Sequence, residues 1–243
     1  MTTGVYLYCI IDADNAPSLG NIGLYGKEVR AIAFKDLCAV ISDMPFKEIH
    51  PGVDEINMHQ NVVDQSRGRW VTLPVRFGTL FKNSEGLRQY MIKSYKELRP
   101  KIRKFKNKDE YGVKVIFDSN DLSKLKMDED GNSEIRKIKK EMPAAGEGTS
   151  YFLKLRMDEA MKMEALRKID EIRGDIHRQI SKVAVSSSIL RSDLAQIIMN
   201  SSYLIDRSKK DAFDSQVNKI SEKYEAYGIT VHSSGPWAPY SFC

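Results

Sequence analysis

The C-terminal residues 235–242 constrain the fold most, because they contain two prolines in the sequence Gly-Pro-Trp-Ala-Pro-Tyr-Ser-Phe. Each proline fixes φ and lacks the N–H that a β-sheet requires, so we expect the backbone to leave the sheet at Gly235 as an extended, polyproline-like tail. Trp237, Tyr240 and Phe242 lie on this tail. Exposed aromatic clusters favour association, so the tail either packs back on the body of the protein or forms a contact surface.

The size and composition of the chain predict two small domains. Its 243 residues, 42% hydrophobic and 29% charged, can bury a full core, and no apolar run approaches the length of a membrane span. Residues 1–11 lack the basic region and cleavage site of a signal peptide, so we expect a cytoplasmic protein without membrane insertion. In that compartment Cys9, Cys38 and Cys243 are expected to be reduced, buried thiols.

The N-terminal part, residues 1–108, predicts an α+β sheet domain. Apolar runs predict strands at residues 5–11, 28–34 and 37–42. Helical spacing of apolar residues predicts helices at 54–69 and 84–105, separated by a strand-like run at 70–81.

The C-terminal part, residues 109–243, predicts a ferredoxin-like α+β domain, after a connector at residues 107–110. Its elements follow the order strand, helices, strand, strand, helix, strand, which is a modified βαββαβ arrangement. The predicted segments are a strand at 113–117, helices at 118–142 and 149–183, strands at 182–189 and 196–205, a helix at 206–227 and a strand at 229–231. The tail, residues 235–243, is assigned to this domain.

The sequence lacks the spacings of the common enzyme and metal motifs. It contains no P-loop, no His-Glu-x-x-His, no Cys-x-x-Cys and no Gly-x-Ser-x-Gly. Asp128 and Asp130 begin like a calcium loop, but Ser133 stands where the loop requires glycine and Lys139 where it requires glutamate. We therefore predict no catalytic residue, no cofactor and no metal.

Two cationic features leave alternatives open. Arg76 lies in an apolar, strand-like run, so it pairs with a structural carboxylate or binds an anion. The basic residues between 93 and 108 form a solvated helix face, or they bind an acidic protein partner or nucleic acid. The predicted strand 196–205 offers only Tyr203 for stacking and lacks a Lys/Arg-Gly-Phe-x-Phe pattern, so nucleic acid is not expected.

The tail resembles the closing signature of the gas vesicle protein GvpF/GvpL family. The sequences Leu-Pro-Val-Arg-Phe-Gly-Thr at 73–79 and Asn-x-x-Tyr-Leu-x-Asp-Arg at 200–207 also resemble this family, as do Gly-Val-Lys-Val at 112–115 and Tyr-Phe-Leu-Lys at 151–154. The resemblance covers nearly the whole chain. It implies a non-enzymatic accessory protein of the gas vesicle.

The resemblance also implies a partner. We expect binding to the hydrophobic major shell protein, and contacts with other gas vesicle accessory proteins, that help nucleate or assemble the vesicle and limit aggregation of free shell subunits. Our hypothesis for the partner-binding surface is the tail, with Pro236, Trp237, Tyr240 and Phe242. The alternative is a module that binds nucleic acid or an acidic partner through the basic face at 93–108.

Overall fold

A computed structural model describes residues 3–117, 122–125 and 131–243, and these divide into two compact units. Unit 1 comprises Met1–Tyr111, Leu204–Arg207 and Ser234–Cys243, and unit 2 comprises Gly112–Tyr203 and Ser208–Ser233. The division into domains at residue 108 stays a prediction. In the structure, the tail groups with the N-terminal residues rather than with the rest of the predicted second domain.

Unit 1 contains a five-stranded sheet in which every pairing is antiparallel. The strands follow the order β2-β3-β1-β4, and β5 also pairs with β1. The elements are β1 (Thr3–Ile11), β2 (Arg30–Phe34), β3 (Leu37–Pro45), α1 (Val53–Arg67), β4 (Thr72–Pro74), β5 (Leu80–Phe81) and α2 (Ser84–Lys104). The predicted helices are confirmed, whereas the strand-like run at 70–81 is two short strands separated by a turn.

Strand β1 is buried on both faces, which explains its uninterrupted apolar sequence. Val5, Leu7 and Ile10 belong to the core cluster that includes the apolar face of α2. Tyr6, Tyr8 and Ile11 belong to the other cluster, which includes Val62 and Val63 of α1. Alternation of side chains, shifted by one residue at an irregularity between Leu7 and Cys9, therefore distributes β1 between the two helices.

A buried polar network joins β1 to α1. His59 is 3% exposed, and its two ring nitrogens lie 2.8 Å from the hydroxyl of Tyr6 and 3.0 Å from the carbonyl oxygen of Val75. A carbonyl only accepts hydrogen bonds, so Nε2 carries the proton and Nδ1 accepts from Tyr6. The Tyr6 oxygen in turn accepts from the backbone N–H of Gly78 at 3.0 Å. Burial of this neutral ring lowers the pKa of His59 to about 4.

The second sheet has the strand order β7-β8-β6-β9. Its elements and the accompanying helices are β6 (Lys108–Phe117), α3 (Ser133–Glu141), α4 (Glu147–Ser181), β7 (Ser186–Ile189), β8 (Ile197–Asp206), α5 (Lys210–Glu225) and β9 (Ile229–Trp237). Hydrogen bonds from Phe117 N to Gln196 O and from Arg207 N to Asn107 O, both 2.9 Å, show that β6 and β8 are antiparallel. Three of these strands, β6, β8 and β9, have one end in unit 1.

The helices of unit 2 bury the faces that their sequences predict. Ile172, Ile176 and Ile180 of α4 are each at most 3% exposed, and Phe213 and Ile220 of α5 are fully buried. Of the predicted helix at 118–142, α3 is confirmed. Residues 118–121 and 126–130, including the calcium-like pair at 128 and 130, lie outside the described residues.

The prediction that the backbone leaves the sheet at Gly235 is wrong, because β9 continues to Trp237. Strand β9 lies at a sheet edge and pairs on one side only, where proline is tolerated if its nitrogen faces away from the neighbouring strand. Gly235 has φ of +122°, and a Cβ atom there would lie 2.8 Å from the carbonyl oxygen of Glu110. Glycine at this position therefore permits the close approach to β6.

Two further features of the structure concern membrane-spanning helices and the cysteines. Within the described ranges, no helix is both long enough and apolar enough to cross a membrane. The three cysteines are free thiols. Cys9 and Cys38 are buried as expected, but the expectation is wrong for Cys243, which is exposed because it is the last residue of the chain and follows the final turn.

We predict that the free energy of unfolding falls as the pH is lowered from about 6.5 to about 4. His59 stays neutral in the folded chain over this range, whereas the unfolded chain binds a proton near pH 6.5, so acid favours unfolding by up to about 3 kcal/mol. Urea unfolding at a series of pH values measures this loss.

The matched variants are His59→Gln and, at an exposed position, His50→Gln. His59→Gln should flatten the pH dependence whatever its effect on absolute stability, and His50→Gln should preserve it. An unchanged pH slope in His59→Gln would contradict the assignment, as would a direct NMR titration that places the pKa of His59 near 6.5.

Candidate functional site

The four predicted tail residues occupy different environments within unit 1. Pro236 and Trp237 end β9, and the Trp237 indole is 40% exposed, with Nε1 donating to Ser234 Oγ at 3.2 Å. Tyr240 is 36% exposed and starts a single turn of 3-10 helix. Phe242 is half-buried against the core cluster of α2. The structure therefore leaves Trp237 and Tyr240 partly exposed and uses Phe242 for packing, and burial of the hydroxyl end of Tyr240 raises its pKa.

A buried carboxylate holds the last turn of the chain. Glu110 on β6 is 6% exposed, and Ser241 donates to both of its oxygens, from the backbone N at 2.8 Å and from Oγ at 2.6 Å. Hydrogen bonds to an ionised group are about twice as strong as those between neutral groups. Ala238 and Pro239, just before this turn, are buried. The tail is thus fixed in position along its length.

Two arginines bind the neighbouring carboxylate, Asp109, which is 6% exposed. Arg67, the last residue of α1, donates from Nη1 to Oδ1 at 2.6 Å. Arg207, which follows β8, donates from Nε to Oδ2 and from Nη2 to Oδ1, both at 3.1 Å. Arg67 also donates from Nη2 to the carbonyl oxygen of Pro236 at 3.3 Å. One guanidinium therefore contacts both the buried carboxylate and the start of the tail.

Strand β6 places both carboxylates, because successive side chains of a strand point to opposite faces. The sequence interpretation missed them, since residues 107–110 were assigned to a connector and β6 in fact starts at Lys108. The available signal was a pair of acidic residues directly before an alternating apolar run. Asp109 is also the carboxylate partner of Arg207, the last residue of the motif at 200–207.

Arg76 has a different environment from the predicted one. It is exposed, it lies between β4 and β5 rather than in a strand, and no carboxylate of the described residues lies within ion-pair distance of it. Its backbone carbonyl accepts from Thr79 Oγ1 at 2.7 Å. The turn at Gly78, with φ of +84°, takes this segment out of the sheet, so the side chain reaches solvent.

The basic residues between 93 and 108 lie on α2, on the turn that follows it and at the first residue of β6. Five of them are exposed: Lys93, Lys96, Arg103, Lys104 and Lys106. Arg99 instead forms ion pairs with Asp12 at 2.8 Å and with Asp36 at 2.6 Å. This arginine fixes α2 to two loops of unit 1, whereas the exposed lysines form a solvated face.

The described residues contain no group of three or more His, Cys, Asp or Glu side chains arranged to hold a metal ion. Two of the histidines instead bind hydroxyl groups: His59 contacts Tyr6, and His177 Nδ1 lies 2.9 Å from the hydroxyl of Tyr203.

Comparison with known proteins extends over the whole chain. The family model described as "Gas vesicle synthesis protein GvpL/GvpF" matches residues 4–243. The chain belongs to this family. A curated relative, gas vesicle protein F of Haloferax mediterranei, is 26% identical over 249 residues, which cover 100% of this chain and 94% of the relative.

Solved structures of GvpF share the mixed α+β fold. The crystal structure of GvpF from Anabaena sp. PCC7120 has a TM-score of 0.82 at 20% identity, covering 99% of this chain and 98% of that one. GvpF from Microcystis aeruginosa has a TM-score of 0.75 at 19% identity, covering 98% of each chain. The predicted α+β class and the family resemblance are confirmed, and the chain has a role related to gas vesicles.

We predict that Asp109→Asn lowers the free energy of unfolding by about 3 kcal/mol. The change leaves Arg67 and Arg207 without a buried counter-charge, and breaking a buried ion pair from one side typically costs this much. Chemical denaturation of the full chain measures it.

The matched control is Asp43→Asn. Asp43 receives two hydrogen bonds from Arg30 at 2.9 and 3.0 Å, but this pair is exposed, so its loss should cost less than about 1 kcal/mol. Equal effects of the two substitutions would show that the Asp109 pair has no special structural role.

We also predict that Glu110→Gln loosens the tail without unfolding the sheet. A neutral glutamine side chain would bind Ser241 more weakly than the carboxylate does, so hydrogen exchange at the Ser241 amide should accelerate by about tenfold. Ser241→Ala, which removes only the hydroxyl contact, should loosen the remaining tail residues less. Unchanged exchange in Glu110→Gln would mean that packing of Ala238 and Pro239 holds the tail instead.

Proposed function

We propose that this chain is a gas vesicle accessory protein that binds the hydrophobic major shell protein. In this proposal it limits aggregation of free shell subunits and assists nucleation or assembly of the vesicle, in the cytoplasm and at the vesicle itself. It acts through protein contacts rather than catalysis. Family membership supports the gas vesicle role, and the contact with the shell protein is our inference.

The observation that carries the proposal is the exposed pair Trp237 and Tyr240 on a backbone held by buried charges. Aromatic side chains on a fixed backbone lose little conformational entropy on binding, which is why they dominate the energy of many interfaces. An unassembled shell subunit exposes apolar surface and unpaired strand edges that require cover. The tail offers an apolar contact for such a client.

We further propose that the second part of the chain is a ferredoxin-like module. Its support is the succession β6, α4, β7, β8, α5, β9 together with the spatial order β7-β8-β6-β9. In this arrangement β7 and β9 are edge strands, and β9 carries the start of the tail.

A second apolar surface lies on α4 in unit 2. Its exposed residues recur at helical spacing on one face: Phe152, Leu155, Met163 and Leu166, each more than half exposed. This α4 surface is the alternative contact site for the shell protein. The binding experiment must therefore distinguish the α4 surface from the tail.

The first measurement is co-purification of the chain with the major shell protein at low and high salt, scoring the amount of soluble shell protein. Capture that persists at high salt, with increased solubility, is the expected result for an apolar contact. Complete loss of capture at high salt would indicate that the interface is the basic face between residues 93 and 108. Tight, sequence-selective binding to a polynucleotide would instead favour the nucleic-acid alternative.

We predict that the double substitution of Trp237 and Tyr240 by alanine weakens capture of the shell protein at least about tenfold. Loss of a central aromatic contact commonly costs about 2 kcal/mol or more of binding energy. Circular dichroism and denaturation confirm that the variant remains folded.

The control is Phe152→Ala, which removes an aromatic side chain that is 59% exposed on the α4 surface. If Phe152→Ala weakens capture and the tail variant does not, the contact lies on α4. If the tail variant only lowers the melting temperature, the aromatic pair stabilises the fold and does not dock the client.

A further inference from the structure

A small cationic cleft lies in unit 1, next to the Asp109 ion pairs. Its volume is about 180 Å³, and its lining includes four positive side chains, Arg67, Arg69, Lys108 and Arg207. The apolar side chains of Trp70 and Phe105 contribute to its wall, and Pro239 brings the tail to the same cleft.

The positive charges of the cleft exceed the carboxylates that contact them. Asp109 binds Arg67 and Arg207, and Asp64 Oδ1 lies 3.6 Å from Arg67 Nε. Among the described residues, Arg69 and Lys108 have no carboxylate within ion-pair distance.

The two unmatched cations make local contacts that do not neutralise their charge. Lys108 Nζ donates to the carbonyl oxygen of Lys106 at 3.0 Å, and Arg69 Cζ lies 6.0 Å from the Trp70 ring centre. Four cations against two carboxylates leave a surplus of positive charge in a partly enclosed space, where charges interact more strongly than in open solvent.

The walls of the cleft favour a carboxylate over a phosphate. The indole of Trp70 is half-buried, and its exposed part gives the cleft an apolar wall that a short apolar stem below a charged head would contact. Gly68, which follows the last residue of α1, also lines the cleft. A helix C-terminus carries a partial negative charge, which opposes a doubly charged phosphate more than a singly charged carboxylate.

We propose that this cleft binds the carboxylate of an aspartate or glutamate from an acidic segment of a protein that docks on the tail. The identity of the docking protein rests on the proposed function. The proposal that the cleft binds a carboxylate is argued only from the charge and shape of the cleft. The proposal predicts that the docking protein has an acidic side chain next to the apolar surface that contacts the tail.

The two tryptophans of the chain report on the two parts of this interaction separately. Trp70 lines the cleft, and Trp237 lies on the exposed part of the tail. In the full-length chain, Trp237→Phe leaves Trp70 as the one indole fluorophore, and Trp70→Phe leaves Trp237. Both single-tryptophan chains must first show the unfolding transition of the parent.

The probe for the cleft is acetyl-tetraglutamate amide, titrated into the Trp237→Phe chain, with acetyl-tetraglutamine amide as the uncharged control. We expect a saturable shift of Trp70 emission with the acidic peptide alone, weakened by salt. Adding Arg69→Gln and Lys108→Gln should weaken binding by about tenfold, since each partly exposed charge contributes modestly. Lys93→Gln with Lys96→Gln removes the same charge from the exposed face of α2 and should leave the affinity within about twofold.

Three results would overturn the proposal. Absence of a saturable response with the acidic peptide would show that the cleft does not recognise carboxylates. An equal loss of affinity in the α2 control would show unspecific attraction by net charge. Tighter binding of inorganic phosphate or of an oligonucleotide at Trp70 would assign the cleft to phosphate chemistry.

Failure of the proposed function has a different signature. If the shell protein changes neither Trp237 emission in the Trp70→Phe chain nor its own solubility, while Trp70 responds to the acidic peptide, the cleft is a carboxylate site for another partner. If Trp237 responds to the shell protein and Trp70 never responds to carboxylates, the tail docks the client without the cleft.

Discussion

Unit 1 is assembled around a buried carboxylate, Asp109, which requires positive charges beside it. Asp109 is almost inaccessible to solvent, and burying a carboxylate is costly unless cations and hydrogen-bond donors surround it. The two guanidinium groups come from residues that are 42 and 98 positions away in the sequence. The carboxylate thereby holds the end of α1 and the segment after β8 beside the start of β6.

Glu110 extends this arrangement to the C-terminus. It binds Ser241 across 131 positions of sequence, while Arg67 reaches the carbonyl oxygen of Pro236. Leu204–Arg207 and Ser234–Cys243 accordingly group with unit 1 although their neighbours in sequence belong to unit 2. A tail fixed in this way can present aromatic side chains without the entropy cost of ordering a flexible segment during binding.

The same interactions create the site at which charge and apolar surface meet. Arg67 and Arg207 serve the buried carboxylate and also line the cationic cleft, and Pro239 of the tail completes part of its wall. In our proposal, structural ion pairs and a recognition surface are built from the same side chains. Charge then gives orientation to a contact whose energy comes from apolar burial.

Sequence periodicity alone determined the local structure of β1, α2 and α5, and separate sequence motifs showed the resemblance to the GvpF/GvpL family. Tertiary structure decided which charges pair and which aromatics stay exposed. Asp109 looked like part of a polar connector, because the burial of a carboxylate depends on distant partners rather than on its neighbours in sequence. Likewise, the prolines of the tail predicted departure from the sheet, but β9 lies at an edge, where one side needs no hydrogen bonds, so the strand continues to Trp237.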